Sequence, residues 1–147
     1  MARRSAINAV ANAFKAALNV SALNTLAPGG VYRGRPQAQQ PPLVSIGPCT
    51  EQPSDSFGIN YGALVTVPVH VLTSGVDADG ESRCAEILDK VMELLDEPAA
   101  LTPTGWTVRQ VSWAGTQIGP DEGLMMLTGD PTGIDGVATF VVTVRPT

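Results

Sequence analysis

Apolar and polar residues recur at two different periods along this chain, and the changes of period mark out its elements. Between residues 5 and 19, Ile7, Val10, Ala11, Phe14, Ala17 and Leu18 repeat at spacings of three and four, while Asn8, Asn12, Lys15 and Asn19 fall off that stripe. Such spacing predicts an amphipathic helix with one buried flank. The run "APGG" at 27–30 stops it, because glycine and proline cannot sustain the helix.

From about Tyr61 to Thr73 the period drops to two. Val65, Val67, Val69 and Val71 share one face; Thr66, Pro68 and His70 share the other, with Leu64 and Leu72 at its ends. A polar second face predicts a half-buried antiparallel strand. Pro68 has no N–H for a ladder, so it marks an edge or a bulge.

The helical period returns over about 81–96, where Cys84, Ile87, Leu88, Val91, Leu94 and Leu95 form the stripe and Glu86, Asp89, Lys90, Glu93 and Asp96 face water. Asp79 is placed to cap this helix, and Glu81 suits its positive end. A third strand is predicted over about Trp106 to Gln117. There the alternation slips, with Trp106 and Val108 on one parity and Val111 and Trp113 on the other. A bulge near Arg109 accounts for the slip. In a further strand, about Val137 to Arg145, Ala138, Phe140, Val142 and Val144 point inward. The first strand, about Leu43 to Gly47, lies between proline-rich flanks: Pro36, Pro41 and Pro42 before it, Pro48 and Pro53 after it.

Helix, strand, strand, helix, strand, strand is the order of an α+β fold. It predicts a mostly antiparallel four-stranded sheet with two helices packed on one face. A chain of 147 residues is expected to form a single domain over its full length. The segment 119–135 is long for a hairpin loop, and loops of that length are commonly functional or disordered. It holds Leu124, Met125, Met126 and Leu127 among polar and glycine residues. Two readings stand side by side: a small satellite core under the loop, or a contact with another protein, for which adaptable methionine is well suited.

Composition narrows the function classes. Apolar residues make up 44% and charged residues 16%, which is globular rather than disordered. No apolar run approaches the ~18 residues of a membrane span. The opening "MARRSAINAVANAF" is basic, but Asn8, Asn12 and Lys15 interrupt the apolar stretch that a signal peptide needs. It reads as an ordinary helix of a protein that stays in the cytoplasm. Net charge is −5, with the nine basic residues spread along the chain. Sequence-specific recognition of nucleic acid, which uses a basic face, is not expected.

Candidate chemistry is sparse. His70 is the only histidine, and no serine or cysteine stands at a fixed spacing from it. Cys49 and Cys84 lie far apart, as small buried hydrophobes would, and with one histidine they cannot fill a zinc shell. Asp77, Asp79 and Glu81 alternate around Gly80, but they lack the twelfth-position glutamate of a calcium loop and read as a turn leading into the helix. Asp121 and Glu122 are adjacent and point apart in an extended segment. "GVYRGRP" lacks the strand–loop–helix context of a phosphate loop. We therefore expect no enzymatic activity, no cofactor and no metal.

In its order of elements and two short motifs the chain resembles the tail-terminator (tail-completion) proteins of long-tailed bacteriophages. Leu23 and Leu26 stand where that family has a leucine-rich exit from its first helix. Val31–Tyr32–Arg33–Gly34–Arg35–Pro36 matches the "V-Y-x-G-x-P" turn, and Pro42–Leu43–Val44–Ser45–Ile46–Gly47 matches "P-L-V-x-I-G", followed by the acidic Glu51. Residues 61–73, 83–95 and 106–145 match the family's second strand, its second helix and its final strand pair. Two departures are visible: strand two ends Leu72, Thr73, Ser74 instead of an aromatic followed by Ser, and the loop 119–135 is longer than usual.

The resemblance implies a structural role. Proteins of this family form rings, usually sixfold, that cap the growing tail tube, stop its polymerisation and join the tail to the head connector. The implied partners are further copies of the chain in a hexameric ring, the major tail tube protein, and a head–tail connector or head-closure protein. DNA would pass through the lumen without sequence-specific binding, which net negative charge favours. The implied location is the virion tail or neck, after assembly in the host cytoplasm. Within that reading, the proline flanks are stiff arms that lose little entropy on docking and protect a sheet edge. Arg33 and Arg35 are candidates to pair with acidic groups on a neighbour, and Leu124, Met125, Met126 and Leu127 are candidates for a docking surface. The nearest alternative is a head-closure or adaptor protein of the neck; a small ligand-binding or enzymatic α+β domain is the alternative from another class.

Overall fold

The computed structural model describes residues 4–36, 41–54, 62–74, 78–121 and 133–147. In chain order its elements are α1 (Ile7–Leu18), α2 (Ser21–Leu26), β1 (Val31–Arg33), β2 (Leu43–Ile46), β3 (Thr50–Ser54), β4 (Gly62–Ser74), α3 (Ala78–Leu94), a 3-10 turn (Pro98–Ala100), β5 (Trp106–Pro120) and β6 (Gly133–Pro146). The α+β class holds, but the expected four strands and two helices become a six-stranded sheet with three α-helices among the described residues. Of the additional elements, α2 and β1 span six and three residues, too short to show a period, and β3, Thr50–Ser54, has no apolar residue to alternate.

Strand order is β1-β2-β4-β6-β5, with β3 also paired to β4. All pairings are antiparallel except that of β1 with β2, which is parallel. The sheet is therefore mixed, a correction to the expected character. β1 and β2 thus start from the same end of the sheet.

The valine alternation does what its period predicts. Val65, Val67, Val69 and Val71 of β4 are wholly buried, as are Ala138 and Val142 of β6, with Phe140 and Val144 nearly so. Beneath them α1 contributes Val10, Phe14 and Leu18, and α3 contributes Cys84, Ile87, Leu88 and Val91. The Phe14 and Phe140 rings meet in a tilted pair 5.9 Å apart. Both helices thus cover one sheet face, α1 over β1, β2 and β4, and α3 over β4, β6 and β5. On the opposite face the β4 residues Leu64, Thr66, Pro68 and His70 are only half-buried.

Pro68 lies inside the sheet, at a break in its neighbour. On one side it pairs with Thr139 of β6; on the other, β3 ends its pairing at Thr66 and β2 begins at Val69. Gly47, Pro48 and Cys49 bridge that interval. A residue's N–H and C=O leave a strand on the same side, and the Pro68 carbonyl accepts from Gly47 N–H at 2.8 Å. The missing proline N–H therefore faces the break, where it costs no ladder bond.

The slip in β5 is a bulge at Arg109: Val108 pairs with Val144 and Gln110 with Thr143. Its effect is to return the apolar residues to one face. Trp106, Val108, Val111 and Trp113 stand opposite Pro146, Val144, Val142 and Phe140, all on the helix-bearing side. A second shift follows between Trp113 and Gly115. At the start of α3, Asp79 lies within the helix and not at its cap, since the helix begins at Ala78.

Candidate assembly surface

The two short motifs of the N-terminal third meet in the sheet. Val31, Tyr32 and Arg33 form β1; Leu43 to Ile46 form β2; and Val31 pairs with Val44, Tyr32 with Ser45 and Arg33 with Ile46. Gly29 N–H donates to the Pro42 carbonyl, Val44 N–H to that of Gly30 and Gly34 N–H to that of Ile46. The Tyr32 hydroxyl donates to the Gly29 carbonyl at 2.7 Å and closes the turn before β1. At Gly34 the backbone has φ +77°, a left-handed conformation that side-chain-bearing residues disfavour. Gly47 is required for a different reason: a Cβ there would stand 2.9 Å from His70 Nε2 and 3.0 Å from Pro68 Cγ.

Glu51, the acidic residue after the second motif, is a structural clasp. Its Oε2 accepts from the Ala6 N–H at 2.6 Å. Ala6 occupies the N-cap of α1 and brings no side-chain hydrogen bond of its own. A carboxylate supplied from β3 thus meets the positive end of the helix. Nothing in the local sequence of α1 signals this, because the partner is 45 residues away.

Arg33 and Arg35 diverge in their surroundings. Arg33 lies over α1, donating through Nη1 to Asn12 Oδ1 and through Nη2 to Asn8 Oδ1, each at 3.2 Å and exposed. Its partners are neutral amides. Arg35 makes a two-pronged pair with Asp121, Nη1–Oδ1 at 2.9 Å and Nη2–Oδ2 at 2.7 Å. The Asp121 carboxylate holds the Arg35 guanidinium above its ordinary pKa. This arginine is committed within the chain and ties the segment after β1 to the end of β5. Leu124, Met125, Met126 and Leu127 lie outside the described residues.

Residues screened for chemistry are placed as structural groups. His70 Nδ1 lies 3.0 Å from Asp135 Oδ1 on the helix-free face. Cys84 is fully buried against α3's sheet contact, where its Sγ approaches the Val71 carbonyl at 3.6 Å. Burial pushes its thiol up to about 11, and the Asp135 charge adds to the shift. Burial also raises the half-buried Cys49 thiol, which Arg33 partly counters. Both thiols therefore favour the protonated form, which is not the nucleophile. Among the described residues no three His, Cys, Asp or Glu side chains gather as a metal site would require, and no helix is long and apolar enough to cross a membrane.

Among the described residues the exposed large apolar side chains, Trp113 and Ile118, both lie on β5. Trp113 shares the helix-bearing face with the core tryptophan, Trp106, yet is 55% exposed. α3 ends at Leu94 and leaves it uncovered. Between them runs a groove of about 260 Å³ lined by Met92, Glu93, Asp96, Val111, Trp113 and Phe140, among others. The Trp113 indole N–H donates to Thr116 Oγ1 at 2.9 Å, which fixes the ring at the groove's rim. Sequence parity alone could not single out Trp113, since it lies on the core face and its exposure depends on where the helix stops.

A family model described as tail completion protein gp17 matches residues 10–124. Among curated proteins none matches significantly. Of solved structures, 22 chains match. One belongs to the virion of a native gene transfer agent particle; it covers 96% of this chain and 98% of its own at a TM-score of 0.76 and 19% identity. At that identity the likeness is one of fold.

Proposed function

Since this chain belongs to the tail completion protein gp17 family, we propose that it forms a ring that caps the tail tube, stops its polymerisation and joins it to the head connector. Family membership makes it a structural protein of the virion tail or neck. The observation that carries the finer reading is the extent of the match, residues 10–124, which includes both N-terminal motifs and the whole of α3 and β5. A hexamer of the chain, the major tail tube protein and a connector or head-closure protein are the proposed partners, with DNA passing through the lumen. The thiols of buried Cys84 and half-buried Cys49, both raised by burial, are poor nucleophiles, which supports a role without thiol-based chemistry.

Deletion of the gene tests this. A terminator limits tube length, so its loss should give filled heads and abnormally long, headless tubes. A head-closure or adaptor protein acts on the other side of the joint, and its loss should leave tails of normal length beside heads that leak DNA. Tails of normal length in the deletion would sink the terminator reading. The tetrad Leu124 to Leu127 is proposed as part of the docking surface on its sequence. Met125→Ser with Met126→Ser should weaken docking while the subunit stays folded, and full infectivity would remove those residues from the surface.

A further inference from the structure

Charge is divided unequally along this chain. All 14 Asp and Glu residues fall from Glu51 onward, while five of the nine Lys and Arg residues (Arg3, Arg4, Lys15, Arg33 and Arg35) precede it. The fold turns part of that division into geometry. β1 and β5 are the two ends of the strand order, and α1 flanks the β1 side while α3 flanks the β5 side. At the β1 edge, Arg33 lies across Asn8 and Asn12, one turn from the exposed Lys15 on the same flank of α1. Among the described residues neither cation is paired with a carboxylate. At the β5 edge, Glu93 and Asp96 border the groove that holds Trp113, and Glu97 follows, exposed. Lys90 offsets Glu93 at 3.1 Å. The arginines of this side, Arg4 over the Trp106 ring and the exposed Arg109 and Arg145, lie by the Trp106 half of β5 and do not line the groove.

We propose that the β1 edge of one copy, with Lys15 and Arg33, docks against the Trp113 groove and its acidic rim at the β5 edge of the next copy. This rests on the ring reading and assigns the surfaces that make the ring. The Lys15–Arg33 patch and the acidic rim of the groove differ in charge and lie at opposite edges of one sheet, so their contact is head-to-tail, the kind that closes into a ring when the rotation permits. The occupant of the groove is a second copy because the complementary charge is carried by the chain itself. Opposed charges steer the approach and fix the orientation. The exposed indole supplies the large apolar contact at the centre, of the kind that dominates binding energy. Two Lys15–Arg33 patches, or two acidic rims, repel when brought face to face, which disfavours two-fold pairing through either patch. The 15-residue β5 edge, paired only with β6 among the described residues, would also be shielded from adventitious strand addition.

Reversal of each edge tests the assignment. The variants are Lys15→Glu with Arg33→Glu, and Glu93→Lys with Asp96→Lys, all at exposed positions, so that circular dichroism and melting should match the parent. Sedimentation of the full chain, alone and on purified tail tubes, reads assembly. Each double variant alone should associate about tenfold more weakly or worse, as like charges now face each other. An equimolar mixture should recover assembly, because every contact then joins opposite charges again. Trp113→Ala should weaken assembly without lowering the melting temperature. Assembly unaffected by either reversal, or folded variants whose mixture fails to recover, would overturn these surfaces and leave ring formation standing. A parent chain that stays monomeric both alone and on tubes would overturn the ring reading and this assignment with it.

Discussion

Arg35 and Asp121 meet across 86 residues of chain in a two-pronged ion pair whose carboxylate is 3% exposed and whose guanidinium is 36% exposed. The bond joins the end of the first motif to the end of β5, where Asp121 N–H also donates to the Gly133 carbonyl at 2.8 Å. The pair closes the base of the long segment between β5 and β6 against the N-terminal third of the molecule.

Arg35→Ala should therefore destabilise by about 1–3 kcal/mol, the range for a charge-assisted bond whose loss leaves a buried carboxylate short of a partner. Arg35→Lys should recover only part, because an ammonium cannot present the same planar fork. Denaturant unfolding of the two single variants and of Arg35→Ala with Asp121→Ala measures the coupling. Simple additivity in that cycle would show that the pair contributes nothing specific.

Val91→Asp should cost about 3–5 kcal/mol, since Val91 is wholly buried between α3 and the sheet and the new charge would have no partner there. Glu93→Ala, whose side chain is 71% exposed and pairs with Lys90, should change stability by less than about 0.5 kcal/mol. Thermal melts of both variants check the contrast, and equal shifts would contradict the orientation of α3.

Glu51→Ala should lower stability by about 1 kcal/mol, the usual cost of a lost helix cap. Glu51→Gln should cost less, as an amide oxygen still accepts the Ala6 N–H. Hydrogen exchange at the first turn of α1 reports directly on the cap; unchanged protection in Glu51→Ala would show that the 2.6 Å contact does not hold the helix.

These effects divide along the same line as the legibility of the fold. Elements with enough residues to display a period were readable: β4 from its four buried valines, α3 from its stripe, and even the Arg109 bulge from the broken parity of β5. Of the short elements, β2 was readable from its apolar run, whereas α2, β1 and β3 were not. β1 is held by its parallel pairing with β2 and by the turn at Gly34, not by any alternation of its own three residues. Long-range clasps were equally silent, because an arginine or glutamate in sequence does not say which element it will reach. Pro68 is neither on an edge strand nor at a bulge of β4, whose pairing with β6 runs through it unbroken; the gap between β2 and β3 beside it is what spares the missing N–H a ladder bond. Of the proposed contact residues, Arg33 is held among the described residues by neutral amides, whereas Arg35 is spent within the chain. Trp113 escaped attention because its parity marks it as core; only the end of α3 at Leu94 leaves it open.

Cys84 should make the protein sensitive to alkaline pH. Its thiol is pushed up to about 11 in the folded chain, chiefly by burial and further by the Asp135 charge, from an ordinary value of 9.0. The folded state therefore keeps a proton that the unfolded state releases first. The stability contributed by this raised pKa is fully present below pH 9.0 and is lost as pH rises from there through about 11, because the unfolded chain binds fewer protons over that window. Lysine and tyrosine titrate in the same range, so the comparison with Cys84→Ala isolates the cysteine. That variant should be less stable than the parent near neutral pH, having lost a packed sulfur, but its denaturation midpoint should fall less steeply between pH 9.0 and about 11. Parallel pH profiles for the two proteins would show that the buried thiol does not hold its proton through unfolding in this way.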